Sequence, residues 1–318
     1  MLNVDGVLII DKAAGPTSHD VVARVRRITG ERRAGHTGTL DPFATGALVI
    51  LLGRATRLAQ FLQDAEKEYE GVIRLGFATD TGDITGTRIN DESDFSHDPG
   101  THLVSIGSKE IETAMASLRG EILQTPPMYS AKKVGGRKLY ELARAGTEIE
   151  RQPATINIER FELLSLVRPA ETDALLDLSV RVTCSAGTYI RVLAEDLGKK
   201  LGIGAHLAEL RRTRAGRCAI TEATTLEQLE ELMQEGSLEK VLRTPDEALS
   251  HLPCVDMNGD ESRRVAHGID LEVNGAPADD WPTDQVVRMR ENGKLVAVGT
   301  FNQSRQAIHP KIVLSKRE

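Results

Sequence analysis

Two unbroken apolar runs, Val7-Leu8-Ile9-Ile10 and Ala47-Leu48-Val49-Ile50-Leu51-Leu52, punctuate the first fifth of the chain. Runs of this length without helical spacing predict buried strands. Between them Val21, Val22, Val25 and Ile28 recur on one helical face, after Ser18 as a suitable N-cap and before Gly30. Leu58, Phe61, Leu62 and Ala65 predict the buried face of a second helix. Tyr69 to Gly76 alternates imperfectly, as a strand, and Ile111, Met115 and Leu118 restore helical spacing before Gly120. Two β-rich runs, Thr155 to Val167 and Ala174 to Cys184, lead into an amphipathic helix that uses Ile190, Leu193, Ala194 and Leu197. The stretch from His206 to Arg217, with no element assigned, contains Leu210-Arg211-Arg212-Thr213-Arg214. Thr224 with Glu227 has the spacing of a capping box for an acidic helix. Val286 to Arg290 and Leu295 to Gly299, joined through Asn292-Gly293, spell a β-hairpin. The pattern predicts a large domain over 1–247 and a small β-rich one over 248–318, with a polar, aperiodic surface insertion at 91–107.

Composition adds limits. Among 318 residues the three cysteines, Cys184, Cys218 and Cys254, form no C-x-x-C pair, which argues against a disulfide framework or a zinc site and for a reducing compartment. The first residues lack the charged and apolar halves of a signal peptide, and no apolar run approaches a spanning helix. A soluble cytoplasmic protein is expected. The net charge of -7 is unevenly spread: 181–217 carries eight Lys/Arg against three acids, whereas 61–120 carries five against twelve. Segregated basic segments fit a localised footprint for a polyanion as well as they fit solvated helix faces.

The candidate chemistry lies between the two apolar runs. Gly35-His36-Thr37-Gly38-Thr39-Leu40-Asp41-Pro42-Phe43-Ala44-Thr45-Gly46 packs three glycines and a proline around one carboxylate, on a loop tied to a buried strand. Asp41 is there either as a catalytic group on an anchored loop or as an acid ending a turn before proline. Further on, 124–150 opens with two prolines and interleaves Lys132, Lys133, Arg137 and Lys138 with Tyr129 and Tyr140, the composition of a flexible loop contacting nucleic acid.

Together these pieces resemble the TruB family of tRNA pseudouridine-55 synthases. The resemblance spans most of 1–220 and rests on D-K-x-x-G-x-T-S (Asp11 to Ser18), G-H-T-G-T-L-D-P-x-A-T-G (Gly35 to Gly46) and K-x-Y (Lys67 to Tyr69). It continues with P-P-x-Y-S-A-x-K (Pro126 to Lys133), G-T-Y-I-R (Gly187 to Arg191) and L-R-R-T (Leu210 to Thr213). The resemblance implies an α+β fold, a central mixed sheet flanked by helices, with a C-terminal PUA-like RNA-binding domain. It implies that a uridine in the T-arm of tRNA is flipped out and isomerised without metal or other cofactor. Asp41 would be the essential aspartate, acting by covalent attack or by taking a proton from the ribose. Arg191 would pair with it and depress its pKa; Tyr69 would stack on the uracil. Tyr189 and Leu210 would line the pocket, His36 would hold flipped nucleotides, and Lys12 would support the loop and the RNA backbone. Lys132 and Arg137 would belong to an RNA-gripping loop. Phe43 stands where an aliphatic residue is common in the family, which predicts altered packing beside Asp41.

A monomer with tRNA as its partner follows from the same resemblance, and an accompanying tRNA-chaperone activity is compatible with base flipping. Two other readings share some of these features. A subunit of a guide-RNA-directed pseudouridylation complex would share the catalytic domain, but the 91–107 insertion and the absence of a lysine-rich tail speak against it. A phosphate-binding transferase would need a lysine or metal ligands at the glycine loop, and none has the spacing.

Overall fold

The glycine-rich loop is carried between strands that are largely buried. In the computed structural model, residues 4–63, 65–89, 103, 106–130, 133–134, 137–138, 149–169, 175–273 and 280–314 are described. The chain begins with β1 (Gly6–Lys12), α1 (Ser18–Thr29), β2 (Ala34–His36) and β3 (Thr45–Leu52). A 3-10 turn over Gly53–Leu58 and one helical turn, α2 (Gln60–Gln63), lead to β4 (Lys67–Leu75). Next come a ribbon of β5 (Ala78–Thr79) with β6 (Arg88–Ile89), then α3 (Ser108–Ala116) and β7 (Gly120–Gln124). A second ribbon pairs β8 (Lys133–Val134) with β9 (Arg137–Lys138). The long strands β10 (Ala154–Val167) and β11 (Leu176–Cys184) precede α4 (Ile190–Lys200), β12 (Ala205–Ala215) and β13 (Cys218–Ala219). Helices α5 (Leu226–Gln234) and α6 (Pro245–Ala248) follow.

The main sheet runs β1-β3-β12-β4-β11-β10-β7, with β2 joined to β3 and β13 to β12. Every pairing in it is antiparallel except β3 with β12, which run parallel for two residue pairs, Thr45 with Arg211 and Gly46 with Arg212. The apolar runs of β1 and β3 are explained by burial on both faces. Leu8, Ile10, Leu48, Ile50 and Leu52 enter the main core, while Val7, Ile9, Val49 and Leu51 meet Cys218 and Ala248 on the other side. Each such side chain contributes about 1.5–3 kcal/mol relative to exposure, so the loop between the strands is anchored at both ends.

Several elements differ from the sequence reading. The cap of α1 is Thr17, whose side chain accepts from Asp20 N, and Ser18 instead bonds both the N–H and the carbonyl of Leu40. The cap of α5 is Thr225 with Gln228, one residue after the expected Thr224, because the Thr224 N–H is taken by the Ile9 carbonyl of the sheet. The expected helix at 58–65 is the 3-10 turn and α2. Most consequentially, His206 to Arg217 is largely β12, a central strand. The expected insertion at 91–107 lies almost wholly outside the described residues.

The C-terminal part begins with β14 (Cys254–Asp256), α7 (Gly259–Ala266) and β15 (Leu271–Glu272). It ends with β16 (Val286–Glu291), β17 (Lys294–Asn302) and β18 (Ala307–Val313), and the five strands order as β14-β16-β17-β18-β15. The hairpin turns at Asn292 with φ 49°, the left-handed geometry that Asn-Gly hairpins use. Val298, Ile312 and Leu314 from this sheet share an apolar cluster with Ala55 and Leu58 of the 3-10 turn and with Leu249. Arg54 reinforces the joint by donating to the Leu314 carbonyl and to Asp5 Oδ2 through Nε at 2.8 Å.

Candidate active site

A cavity of about 410 Å³ opens where β3 and β12 part. The loop between β2 and β3 forms one wall, and it is held chiefly through its backbone. Lys12 is 1% exposed at the end of β1, and its Nζ donates to the carbonyls of Ala13 (3.0 Å), Pro42 (3.1 Å) and Ala44 (2.6 Å). Arg212, buried on β12, donates to the carbonyls of Ala47 (2.7 Å), Gly38 (3.1 Å) and Thr39 (3.5 Å). Gly46 has φ +102°, and a Cβ there would stand 2.3 Å from the Arg212 carbonyl oxygen, so the close approach of β3 to β12 excludes any side chain.

Asp41 leaves this loop toward the cavity with its side chain one-third exposed. Arg191, the second residue of α4 and only 4% exposed, grips it with two prongs, Nε to Oδ2 at 2.9 Å and Nη2 to Oδ1 at 3.3 Å. The rest of the guanidinium is also occupied. Nη1 donates to Thr81 O at 2.7 Å and lies 3.6 Å from Asp83 Oδ2; Nη2 donates to Tyr129 O at 2.7 Å. Asp83 is itself fixed, its Oδ1 accepting from Thr81 Oγ1, Thr85 N and Thr85 Oγ1. The fork fixes the plane of the carboxylate. It does not, however, leave the net effect expected from sequence. Burial pushes the Asp41 carboxyl above the usual range, the Arg191 charge pulls it down, and Asp83 adds to the rise. Desolvation is the largest influence, and the second acid, Asp83, adds to it against the Arg191 charge.

Tyr69 lies on β4, buried, with Val182 and Arg212 as its neighbours across the sheet. Burial raises its phenol pKa, with the Arg212 charge opposing, so a neutral hydroxyl is present. Tyr189 caps α4 and Leu210 stands on β12; both line the cavity, as do His36 and Lys67. His36, at the end of β2, meets His19 of α1 edge-on at 5.3 Å. The structure therefore brings Asp41, Arg191, Tyr69, Tyr189, Leu210 and His36 to one cavity. It sets Lys12 beneath the loop, away from the cavity lining. Phe43, partly buried, packs against the main core and does not line the cavity. Lys132 lies outside the described residues; Arg137 falls in β9, which pairs with β8.

The basic tract 181–217 divides between the core and partly exposed ion pairs. Arg181 pairs with Glu70 at 2.7 Å, Arg211 with Asp11 at 2.7 Å and Arg214 with Glu66 at 2.6 Å, while Arg191 and Arg212 serve the cavity. Sequence reasoning missed the roles of Arg212 and Asp83. The L-R-R-T pattern marked Arg212, but no local signal marks Asp83 in an acid-rich loop. Among the described residues no cluster of three or more His, Cys, Asp or Glu could hold a metal ion, and no helix is long and apolar enough to cross a membrane.

A family model described as the TruB family pseudouridylate synthase N-terminal domain matches residues 26–190. The chain belongs to the TruB family. A second model, the tRNA pseudouridylate synthase B C-terminal domain, matches 191–250, so the TruB signature spans both Asp41 and Arg191. The tRNA pseudouridine synthase B of Geotalea uraniireducens is 43% identical over 300 residues, covering 93% of this chain and 91% of the relative. The protein of the same name from Geobacillus kaustophilus is 45% identical over 274 residues, covering 85% and 92%. Among solved structures, a chain of an H/ACA ribonucleoprotein bound to a substrate RNA containing 2′-deoxyuridine superposes with TM-score 0.72 at 27% identity, covering 98% of this chain and 86% of that one. A chain of the archaeal box H/ACA Nop10–Cbf5 complex gives 0.71 at 27% identity, covering 100% and 88%. The TruB fold is thus a mixed sheet with flanking helices and a β-rich C-terminal part.

Proposed function

We propose that this TruB-family protein isomerises a uridine in the T-arm of tRNA, position 55, to pseudouridine. The observation that carries the reading is one carboxylate, Asp41, clamped two-pronged by a buried arginine at the wall of a cavity that also presents Tyr69. In the reaction the C1′–N1 bond breaks, the uracil turns, and C1′ joins C5. The proton leaves C5 and N1 ends protonated, so no electrons are exchanged with an outside partner.

Each residue has a task in that reading. Asp41 acts ionised, by covalent attack or by taking a ribose proton, and Arg191 favours that ionised form against the burial that opposes it. The flipped uracil stacks on Tyr69, whose neutral hydroxyl assists proton transfer at C5; Tyr189 and Leu210 close around the base, and His36 holds the extruded nucleotides. Lys12 supports the loop from below. The 124–150 loop, with Lys132 and Arg137, grips the RNA, and 248–318 acts as a PUA-like RNA-binding domain. The enzyme works as a cytoplasmic monomer without a cofactor. Identities of 43–45% to proteins named tRNA pseudouridine synthase B, against 27% to the ribonucleoprotein chains, favour a protein that acts on tRNA.

The test is direct. Purified protein is incubated with unmodified tRNA and pseudouridine is mapped by position. Product confined to position 55 supports the reading, and its absence there rejects it.

A further inference from the structure

Gln124 ends β7, the edge strand of the main sheet, where the basic loop departs. Its side chain is 2% exposed, and both ends of its amide are spent on one residue: Oε1 accepts from Tyr189 N at 2.8 Å, and Nε2 donates to Tyr189 O at 3.1 Å. Tyr189 is the cap of α4 and makes no side-chain capping bond of its own. Its carbonyl also accepts the first helical bond, from Leu193 N at 3.1 Å. A glutamine from a distant strand therefore does what the N3 Glu or Gln of a capping box does at other helix starts: it takes up the N–H of the cap residue.

The turn before Tyr189 needs such support. Gly187 has φ +83°, and the turn is also tied to β10 by the Ser185–Asn157 pair, Ser185 N to Asn157 O at 2.9 Å and Asn157 N to Ser185 Oγ at 2.9 Å. Two residues past the cap lies Arg191. Its Nη2 reaches back to Tyr129 O, five residues beyond Gln124. The 124–129 segment thus touches the catalytic helix start at two points, once through the cap and once through the guanidinium that clamps Asp41.

We propose that Gln124 is a positioning residue: it sets the backbone of Tyr189, and through the first turn of α4 it sets the Arg191 fork against Asp41. This rests on the pseudouridine-synthase reading of the cavity. Gln124 touches no substrate. Its influence is on the placement of two residues that do the binding and the clamping, where an error of about 1 Å can cost on the order of a hundredfold in rate.

The test uses Gln124→Glu, which keeps the acceptor for Tyr189 N and loses the donor to Tyr189 O, and Gln124→Met, which keeps length and loses both. Single-turnover rate on unmodified tRNA, tRNA affinity and Tm are measured for each. The expected result is a rate lowered at least about tenfold, affinity within about threefold of wild type, and a cooperative melt. If the buried charge prevents Gln124→Glu from folding, Gln124→Met decides alone. A folded variant with wild-type rate overturns the proposal, as does a rate loss matched by an equal loss of affinity. Absence of product with wild-type protein would instead reject the functional reading itself.

Discussion

Asp41 is pulled in two directions, and its ionisation reports which side prevails. Asp41→Asn should abolish pseudouridine formation while tRNA affinity stays within about tenfold, or about 1.4 kcal/mol, since phosphate contacts spread over the surface supply binding. Turnover by the Asn variant would refute the assignment. Arg191→Lys keeps the charge and loses the fork. Its single-turnover rate should fall at least about tenfold, and the acid limb of its pH–rate profile should move to higher pH. The sign follows from the neighbours: burial and Asp83 already raise the Asp41 carboxyl, Arg191 and Lys12 lower it, and a looser Arg191 lets it rise further. An unshifted acid limb with full rate would remove Arg191 as the partner. The neighbouring arginines are occupied elsewhere, Arg211 on Asp11 and Arg212 on carbonyls.

Lys12 offers a linkage test. Burial, with Arg212 adding to it and Asp41 opposing, pushes its ammonium from 10.5 down to about 8. A base with a depressed folded-state value opposes folding below that value, and the opposition fades as pH climbs to the unfolded one. The stability of wild type relative to Lys12→Met should therefore increase between about pH 8 and 10.5, read by urea denaturation. A constant difference across that window would show that Lys12 titrates normally. At pH 7 Lys12→Met should still be less stable by about 2 kcal/mol or more, because three buried carbonyls lose their donor.

At the scale of elements, the informative cases are those where neighbouring residues compete. The strands β1 and β3 were legible because burial on both faces leaves no polar position in the run. The hairpin at 286–302 was legible because its turn chemistry is local. The caps were displaced by one residue because each start offers two hydroxyls in a row, Thr17-Ser18 and Thr224-Thr225, and a tertiary bond claims one. β12 was hidden by its arginines. Their carboxylate and carbonyl partners come from residues up to 200 positions away, and no window of sequence shows that a guanidinium will be buried. For the same reason the motifs singled out Asp41, Tyr69 and Arg191, which the fold brings to one cavity, whereas Gln124 and Asp83 became visible only through what they hold. Gly46→Ala tests the strand junction. The collision with the Arg212 backbone and the positive φ together should cost about 3 kcal/mol or more, with loss of activity; a variant of wild-type Tm would show that β3 can retreat from β12.

For the whole molecule, charge bookkeeping changes where RNA must be met. With Arg191 and Arg212 buried at the cavity, and Arg181, Arg211 and Arg214 matched by acids in partly exposed pairs, much of the charge in the tract that looked most basic is already balanced. The loop cations gain importance accordingly. Replacing Lys132, Lys133 and Arg137 together should flatten the slope of log affinity against log salt by about 2–3, despite a sequence pI near 5.7. An unchanged slope would take that loop out of the interface.

The parallel joint between β3 and β12 is the shortest pairing that the main sheet depends on, two residue pairs against seven or more on either side of it. The strands on its two sides share one apolar core and the Arg211 and Arg212 contacts, so the joint is where the backbone ladder alone is thinnest. One side, β1-β3-β2, brings Asp41. The other, from β12 to β7, brings Tyr69, Leu210, Tyr189 and Arg191. Loosening at that seam would shift Asp41 relative to Tyr69 and Arg191 and lower activity, without any of these side chains leaving its own element. Amide exchange at Thr45 and Gly46 should therefore track loss of activity at denaturant concentrations too low for global unfolding, which makes this catalytic centre a sensor of the sheet's own integrity.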